Sequence, residues 1–94
     1  MINQTIILAT AGDTDTLNPP PGAQGALLSF EHASSSDRIA RYWRQSTSLP
    51  TATDGIGCLN NDKLELTIEE LRSFKVIALV DGVTVQVDYD ALKD

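Results

Sequence analysis

The sequence predicts an all-β fold: an antiparallel β-sandwich or small barrel of about seven to eight short strands, with one helical turn near 68–73. Three observations carry that expectation. The first is residues 74–89, where Phe-Lys-Val-Ile-Ala-Leu-Val is followed by Asp81-Gly82 and then by Val-Thr-Val-Gln-Val-Asp-Tyr. Asp-Gly between alternating apolar runs favours a two-residue hairpin, because a type I′ turn needs φ > 0 at both central residues and this pair tolerates it. Counting outward sets Val80 opposite Val83, Ala78 opposite Val85, Val76 opposite Val87 and Phe74 opposite Tyr89 on one dry face. The other face pairs Leu79 with Thr84, Ile77 with Gln86 and Lys75 with Asp88. The second observation is the punctuation: Gly, Pro, Asn, Asp and Ser clusters cut the chain into runs of strand length. The third is size. Ninety-four residues, 41% of them hydrophobic, suffice for one small domain with a core of its own.

Taken in order, residues 1–11 read as a strand. Ile6, Ile7 and Leu8 are consecutive, so both faces are covered, as in a central strand or one lying between subunits. This segment is therefore a candidate N-terminal arm that pairs with a neighbouring subunit. Residues 12–25 are a Pro-rich loop in which Pro19, Pro20 and Pro21 favour polyproline II geometry and remove three backbone donors. A loop of this length in a small domain usually carries a function. Residues 26–33 form the next strand. Ser34-Ser35-Ser36-Asp37 either closes a hairpin or caps a helix, since Ile39, Tyr42 and Trp43 fall at i, i+3 and i+4. Tyr, Trp and Ile favour pleated surfaces, so a strand over 38–45 is the preferred reading. Residues 46–57 are a loop and 56–59 a short strand. Asn60-Asn61-Asp62 is a turn, and 63–67 is a strand with Leu64 and Leu66 inward. Thr67-Ile68-Glu69-Glu70 has the form of a capping box, which opens the helical turn.

Charge and composition exclude several classes. Thirteen acids against seven bases give a net charge of −6, which disfavours nucleic acid or an anionic membrane as partner. No apolar run approaches the length of a membrane helix, and no basic, long apolar leader precedes Ala9-Thr10-Ala11, so no signal peptide is expected. A single cysteine, Cys58, rules out an internal disulfide and a Cys-based zinc site, leaving a small buried hydrophobe or a reactive thiol. His32 is the only histidine, with Ser29, Glu31, the serines 34–36 and Asp37 nearby, but no nucleophile motif surrounds it. Asp13/Asp15 and Asp88/Asp90 each put two carboxylates on one side of an extended chain, short of the ligand set a hard cation requires. No catalytic, cofactor-binding or metal-binding residue is expected. Arg38, Arg41 and Arg44 interleave with Tyr42 and Trp43, and two readings stay open: Trp43 anchors the core while the arginines pair with acids, or the strip is an interface patch. Ile77 and Leu79, on the mixed face of the hairpin, need cover from another strand or a second subunit, since leaving them in water forgoes about 1.5–3 kcal/mol each.

From residue 41 onward the order of motifs resembles a family of small phage and prophage virion proteins. An aromatic strand at Arg41-Tyr42 leads to Pro50-Thr51-Ala52-Thr53 and Gly57, then Asp62 with Leu64 and Leu66, Phe74 with Ile77, and Val85-Gln86-Val87-Asp88-Tyr89. The resemblance covers about half the chain and does not accommodate the triple proline or Glu69-Glu70. It implies a β-sandwich with a virion role, either head decoration (cement) or tail association, and no enzymatic activity. The expected partners are further copies of the chain, a trimer among the options, and a larger assembly such as a capsid, joined in the host cytoplasm. Ile6 and Leu8 in the arm, Pro19, Pro20 and Pro21 in the loop, and Ile77 and Leu79 are the interface candidates. Arg41 and Trp43 serve an alternative, a glycan- or host-surface-binding module. Small subunits suit the structural role because repetition on a lattice multiplies weak contacts.

Overall fold

A computed structural model describes residues 2–33, 38–45 and 48–91; Ser34, Ser35, Ser36 and Asp37, read above as hairpin closure or helix cap, lie outside them. Eight strands follow in chain order: β1 (Ile2–Leu8), β2 (Thr14–Thr16), β3 (Ala23–Glu31), β4 (Ala40–Trp43), β5 (Ile56–Cys58), β6 (Lys63–Thr67), β7 (Lys75–Ala78) and β8 (Val83–Ala91). They make two antiparallel four-stranded sheets, ordered β1-β8-β3-β6 and β2-β7-β4-β5. The all-β sandwich expected from the sequence is the fold. Strand alternation explains it: β6 reads exposed-buried-exposed-buried-exposed, with Leu64 and Leu66 inward as predicted, and β7 buries Val76 and Ala78. Within 38–45 the chain forms a strand rather than a helix, but only over Ala40–Trp43.

The two sheets share one core. Ile6, Leu28, Phe30, Val85 and Val87 from the first sheet meet Ala40, Tyr42, Cys58, Val76 and Ala78 from the second. Phe30 stacks on Tyr42 with ring centroids 5.7 Å apart, and Tyr42 on Phe74 at 5.8 Å, so an aromatic column bridges the sandwich. Gly25 sits where β3 crowds β6, since a Cβ there would stand 2.8 Å from the Leu66 carbonyl oxygen.

The Asp81-Gly82 hairpin does not form. β7 lies between β2 and β4 in one sheet, and β8 between β1 and β3 in the other, so the pairs Val80–Val83, Ala78–Val85, Val76–Val87 and Phe74–Tyr89 are absent. Gly82 has φ 76°, but Asn61 is the one non-glycine with positive φ among the described residues, so Asp81 lacks the I′ conformation. Residues 9–13 supply the competing partners. The Asp81 carboxylate accepts the Ala11 N–H at 2.7 Å. Gly82 N–H donates to Ala9 O at 3.1 Å, Gly12 N–H to Ala78 O at 2.8 Å and Ala78 N–H to Asp13 O at 2.9 Å. The β7–β8 link thus runs beside the β1–β2 link, and both cross from one sheet to the other. The dry face survives in another form: Phe74, Val76 and Ala78 are buried from one side and Val83, Val85, Val87 and Tyr89 from the other.

The helical turn near 68–73 is also corrected. No helix occurs among the described residues; the span is a run of overlapping turns, with Glu70 N–H donating to Thr67 O at 3.0 Å, Leu71 N–H to Ile68 O at 3.4 Å, Ser73 N–H to Glu70 O at 3.2 Å and Phe74 N–H to Glu70 O at 3.0 Å. Only the returning half of the capping box is present, with Thr67 N–H donating to the Glu70 carboxylate at 2.9 Å. Leu71 and Phe74 both dive into the core within one short span, which leaves too few residues to propagate a helix from its costly first turn.

Candidate functional site

The outer faces and the strand edges are where this sandwich meets anything else. On the β1-β8-β3-β6 sheet the register aligns Asn3, Asp88, Leu27 and Glu65 in one row and Thr5, Gln86, Ser29 and Lys63 in the next. A shallow dish lies over those rows. Thr5 Oγ1 donates to Gln86 Oε1 at 2.9 Å, and Leu27 is 42% exposed. On the other sheet, Thr14, Ile77, Arg41 and Gly57 form one outward row, and Thr16, Lys75 and Trp43 another.

The sequence-derived candidates separate among these surfaces. Ile6 and Leu8 point inward and are core residues of their own chain, 2% and 1% exposed; the exposed member of that run is Ile7, at 70%. The parity of β1 follows from Gln4, whose amide oxygen faces inward and accepts the Tyr89 hydroxyl and the Asn18 N–H. In this structure residues 2–8 pair with β8 of the same chain across the whole strand. Pro19 and Pro20 are half-buried and Pro21 exposed; they line a groove with Ile68, Leu71 and Arg72. Ile77 and Leu79 are half-buried. Ile77 is on the opposite outer face from Thr84 and Gln86, so the mixed hairpin face that grouped them does not exist.

Trp43 does not anchor the core. Ala40 and Tyr42 of β4 are buried, while Arg41 and Trp43 are half-buried on the outside. Ile39 is also buried, but it precedes the strand, so the alternation of β4 starts at Ala40 and turns Trp43 outward. Arg41 is committed to the chain itself, donating from Nε to Ala52 O at 3.1 Å and from a terminal nitrogen to Gly55 O at 2.8 Å, which pins the loop before β5. Arg44 donates to the Glu65 carbonyl at 3.0 Å and pairs with the Glu70 carboxylate at 3.5 Å.

The groups that could carry reactive chemistry are occupied structurally. Burial pushes the Cys58 thiol up to about 12, with the Asp62 charge adding to it; the thiol donates to Ala40 O at 3.4 Å and fills core space. Burial likewise raises Tyr42 and Tyr89 above the usual phenol value, partly offset by Arg44 beside Tyr42 and by the Asn18 backbone beside Tyr89. His32 ties two loops together: its N–H donates to Asn60 Oδ1 at 2.8 Å, and its Nε2 is 2.9 Å from the Asp81 carbonyl oxygen. Asp13 and Asp15 cap local backbone, accepting from Thr10 N–H at 3.0 Å and Thr16 N–H at 2.7 Å. Among the described residues no group of three or more His, Cys, Asp or Glu side chains converges as a metal site would require. No protein-family model, no curated protein and no solved structure matches this chain.

Proposed function

We propose that the chain is a non-enzymatic structural subunit that associates with copies of itself and attaches to a larger protein assembly, with a phage capsid as the first candidate. The observation that carries the reading is the free edge of the β1-β8-β3-β6 sheet. β1 is seven residues long, lies at the edge, contains no charged residue and no proline, and holds Ile7 at 70% exposure. Proteins that live as monomers usually blunt such an edge, because its unpaired backbone groups recruit further strands. The capsid itself comes from the motif order over 41–89, which resembles virion accessory proteins; on that reading the chain joins the particle in the host cytoplasm. The test is co-sedimentation of the purified chain with capsids of the phage or prophage that encodes it. Saturable binding at a fixed ratio to the major head protein supports the role, and a strictly monomeric chain that stays in the supernatant rules it out.

A second reading, a glycan- or host-surface-binding module, draws on Trp43, which stands on the outside of its sheet beside Lys75. Aromatic faces of this kind stack on sugars and anchor interfaces. If it holds, Trp43→Ala loses retention on host-cell envelopes while melting like the parent chain. Retention unchanged by Trp43→Ala removes it.

A further inference from the structure

We infer that two copies of this chain join β1 to β1 across a twofold axis centred on Thr5, making one continuous eight-stranded sheet. This rests on the self-association proposed above and specifies its surface, register and partner.

Hydrogen-bond direction sets which backbone groups of β1 are available. Phe30 N–H donates to Asp62 O, and Phe30 O accepts the Asn61 N–H, so the backbone of Phe30 faces the β6 side. Peptide groups alternate direction along an antiparallel strand. Leu27, Ser29 and Glu31 therefore face β8, and their register partners Asp88, Gln86 and Thr84 face back. Val83, Val85 and Val87 then face β1, where they meet Leu8, Ile6 and Gln4. The far edge of the sheet agrees with this parity, since the Glu65 carbonyl turns outward and is taken by Arg44 at 3.0 Å. What remains at the open edge of β1 is the N–H and C=O of Asn3, Thr5 and Ile7.

Those residues define one register. A twofold axis at Thr5 sets Thr5 against Thr5 of the second copy, and Asn3 and Ile7 each against the other. Every outward N–H and C=O of β1 is then bonded, whereas an axis at Gln4 or Ile6 leaves a pair of them unused. The same register lays the exposed Ile7 side chain against Asn3 of the second copy and extends both outward rows of the sheet without a break.

Charge and strand length together favour a second copy at this edge over the others. The chain carries a net charge of −6, so two copies repel at most approaches, yet no ionisable side chain occurs in residues 1–12. The remaining edges are blunted in the ways that prevent pairing. β6 presents Lys63 and Glu65 and has its outward carbonyl covered by Arg44. β2 is three residues long with Asp15 at its centre, and β5 is also three residues long. The pairing of β1 with β8 runs without a bulge to twist it away.

The experiment is sedimentation velocity of the full chain over a concentration series, at low and high salt, with two edge variants. Thr5→Pro removes an N–H that faces outward, so the intrachain ladder is kept. Ile7→Lys adds a charge at the seam. The parent chain is expected to dimerise, more tightly at high salt because screening weakens the repulsion between like-charged copies. Each variant is expected to weaken the dimer by about tenfold or more while keeping a cooperative melt, and Leu49→Lys, away from the edge, to leave it unchanged. Amide exchange at Thr5 and Ile7 slows with parent-chain concentration if the seam forms. A parent chain that is monomeric at every concentration, or a dimer indifferent to both edge variants, overturns the inference. In the second case capsid binding still stands or falls on its own test.

Discussion

Replacing Phe74 with alanine probes the aromatic column in the core between the two sheets. Phe74 is fully buried, lies just before β7, and closes the column in which Phe30, Tyr42 and Phe74 stack at 5.7 and 5.8 Å. It also anchors the turns after β6, because its N–H donates to Glu70 O at 3.0 Å and commits the chain to enter the core there. Truncating a buried phenylalanine costs about 3–5 kcal/mol through lost transfer energy and the cavity left behind. The stacking with Tyr42 places this site at the upper end of that range. A domain of this length has a total stability of about 5–14 kcal/mol, so Phe74→Ala removes between a quarter and nearly all of it. At about 4–8 °C per kcal/mol the melting midpoint falls by at least about 12 °C. Urea unfolding followed by tryptophan fluorescence is the assay, with Phe74→Leu as the volume-sparing control at about 1–2 kcal/mol. The slope of the transition stays constant while the midpoint falls, since the surface exposed on unfolding barely changes. A Phe74→Ala protein melting within a few degrees of the parent would show that Phe74 is not packed in the core as described, and the argument built on its burial would fail.

Two further outcomes follow from the same core. Val85→Asp places a carboxylate at a position with no solvent exposure, between Ile6 and Phe30 in the register. No cooperative melt is expected at neutral pH, and a soluble, cooperatively melting variant would show that β8 does not face inward there. The raised thiol pKa of Cys58 means that the folded chain holds a proton the unfolded chain releases. Its contribution is complete below the ordinary value near 9 and is lost as pH climbs from there towards about 12. Alkaline denaturation followed by circular dichroism therefore starts earlier in the parent than in Cys58→Ala, whose decline waits for the tyrosines above 10; identical onsets would place the thiol in solvent.

How much of this was legible in the sequence depends on which physical signal each element used. Side-chain alternation reports the buried face of a strand, and that was readable for Leu64 and Leu66, for Val76 and Ala78, and for Val83 through Tyr89. It says nothing about which strand lies alongside. Asp81-Gly82 fits a hairpin turn and a sheet-to-sheet crossing equally well, because the same carboxylate that tolerates a tight turn can accept a distant N–H, here that of Ala11. Only the partners supplied by residues 9–13 decide the matter, and they are far away in sequence. β2 escaped notice because Thr14-Asp15-Thr16 is as polar as a loop; it is a strand by virtue of its pairing with β7. The early start of β3 at Ala23 was hidden by small residues, among them a Gly25 that close packing against Leu66 requires. The face of Trp43 stayed open in the sequence because Ile39 and Tyr42, both buried, imply opposite alternations, and only the start of β4 at Ala40 decides between them.

The edge of β1 was hidden for a different reason. Ile6-Ile7-Leu8 announces two covered faces, yet Ile6 and Leu8 are core and Ile7 stands 70% exposed. The parity was available in Gln4, a polar residue that faces inward only because Tyr89 and Asn18 meet its amide oxygen, and that meeting cannot be read locally. Edge position is a property of strand order, so it becomes visible only once the sheets are assembled. The edges then acquire a pattern: Asp15 on β2, Lys63 and Glu65 on β6, only three residues in β5, and a full seven uncharged residues on β1. An uncharged edge is a hazard for a monomer and a join for an oligomer, and in a chain of net charge −6 the difference turns on whether that edge meets its own copy. A strand whose outward groups are satisfied completely by a twofold repeat of itself converts the hazard into the join with no additional element.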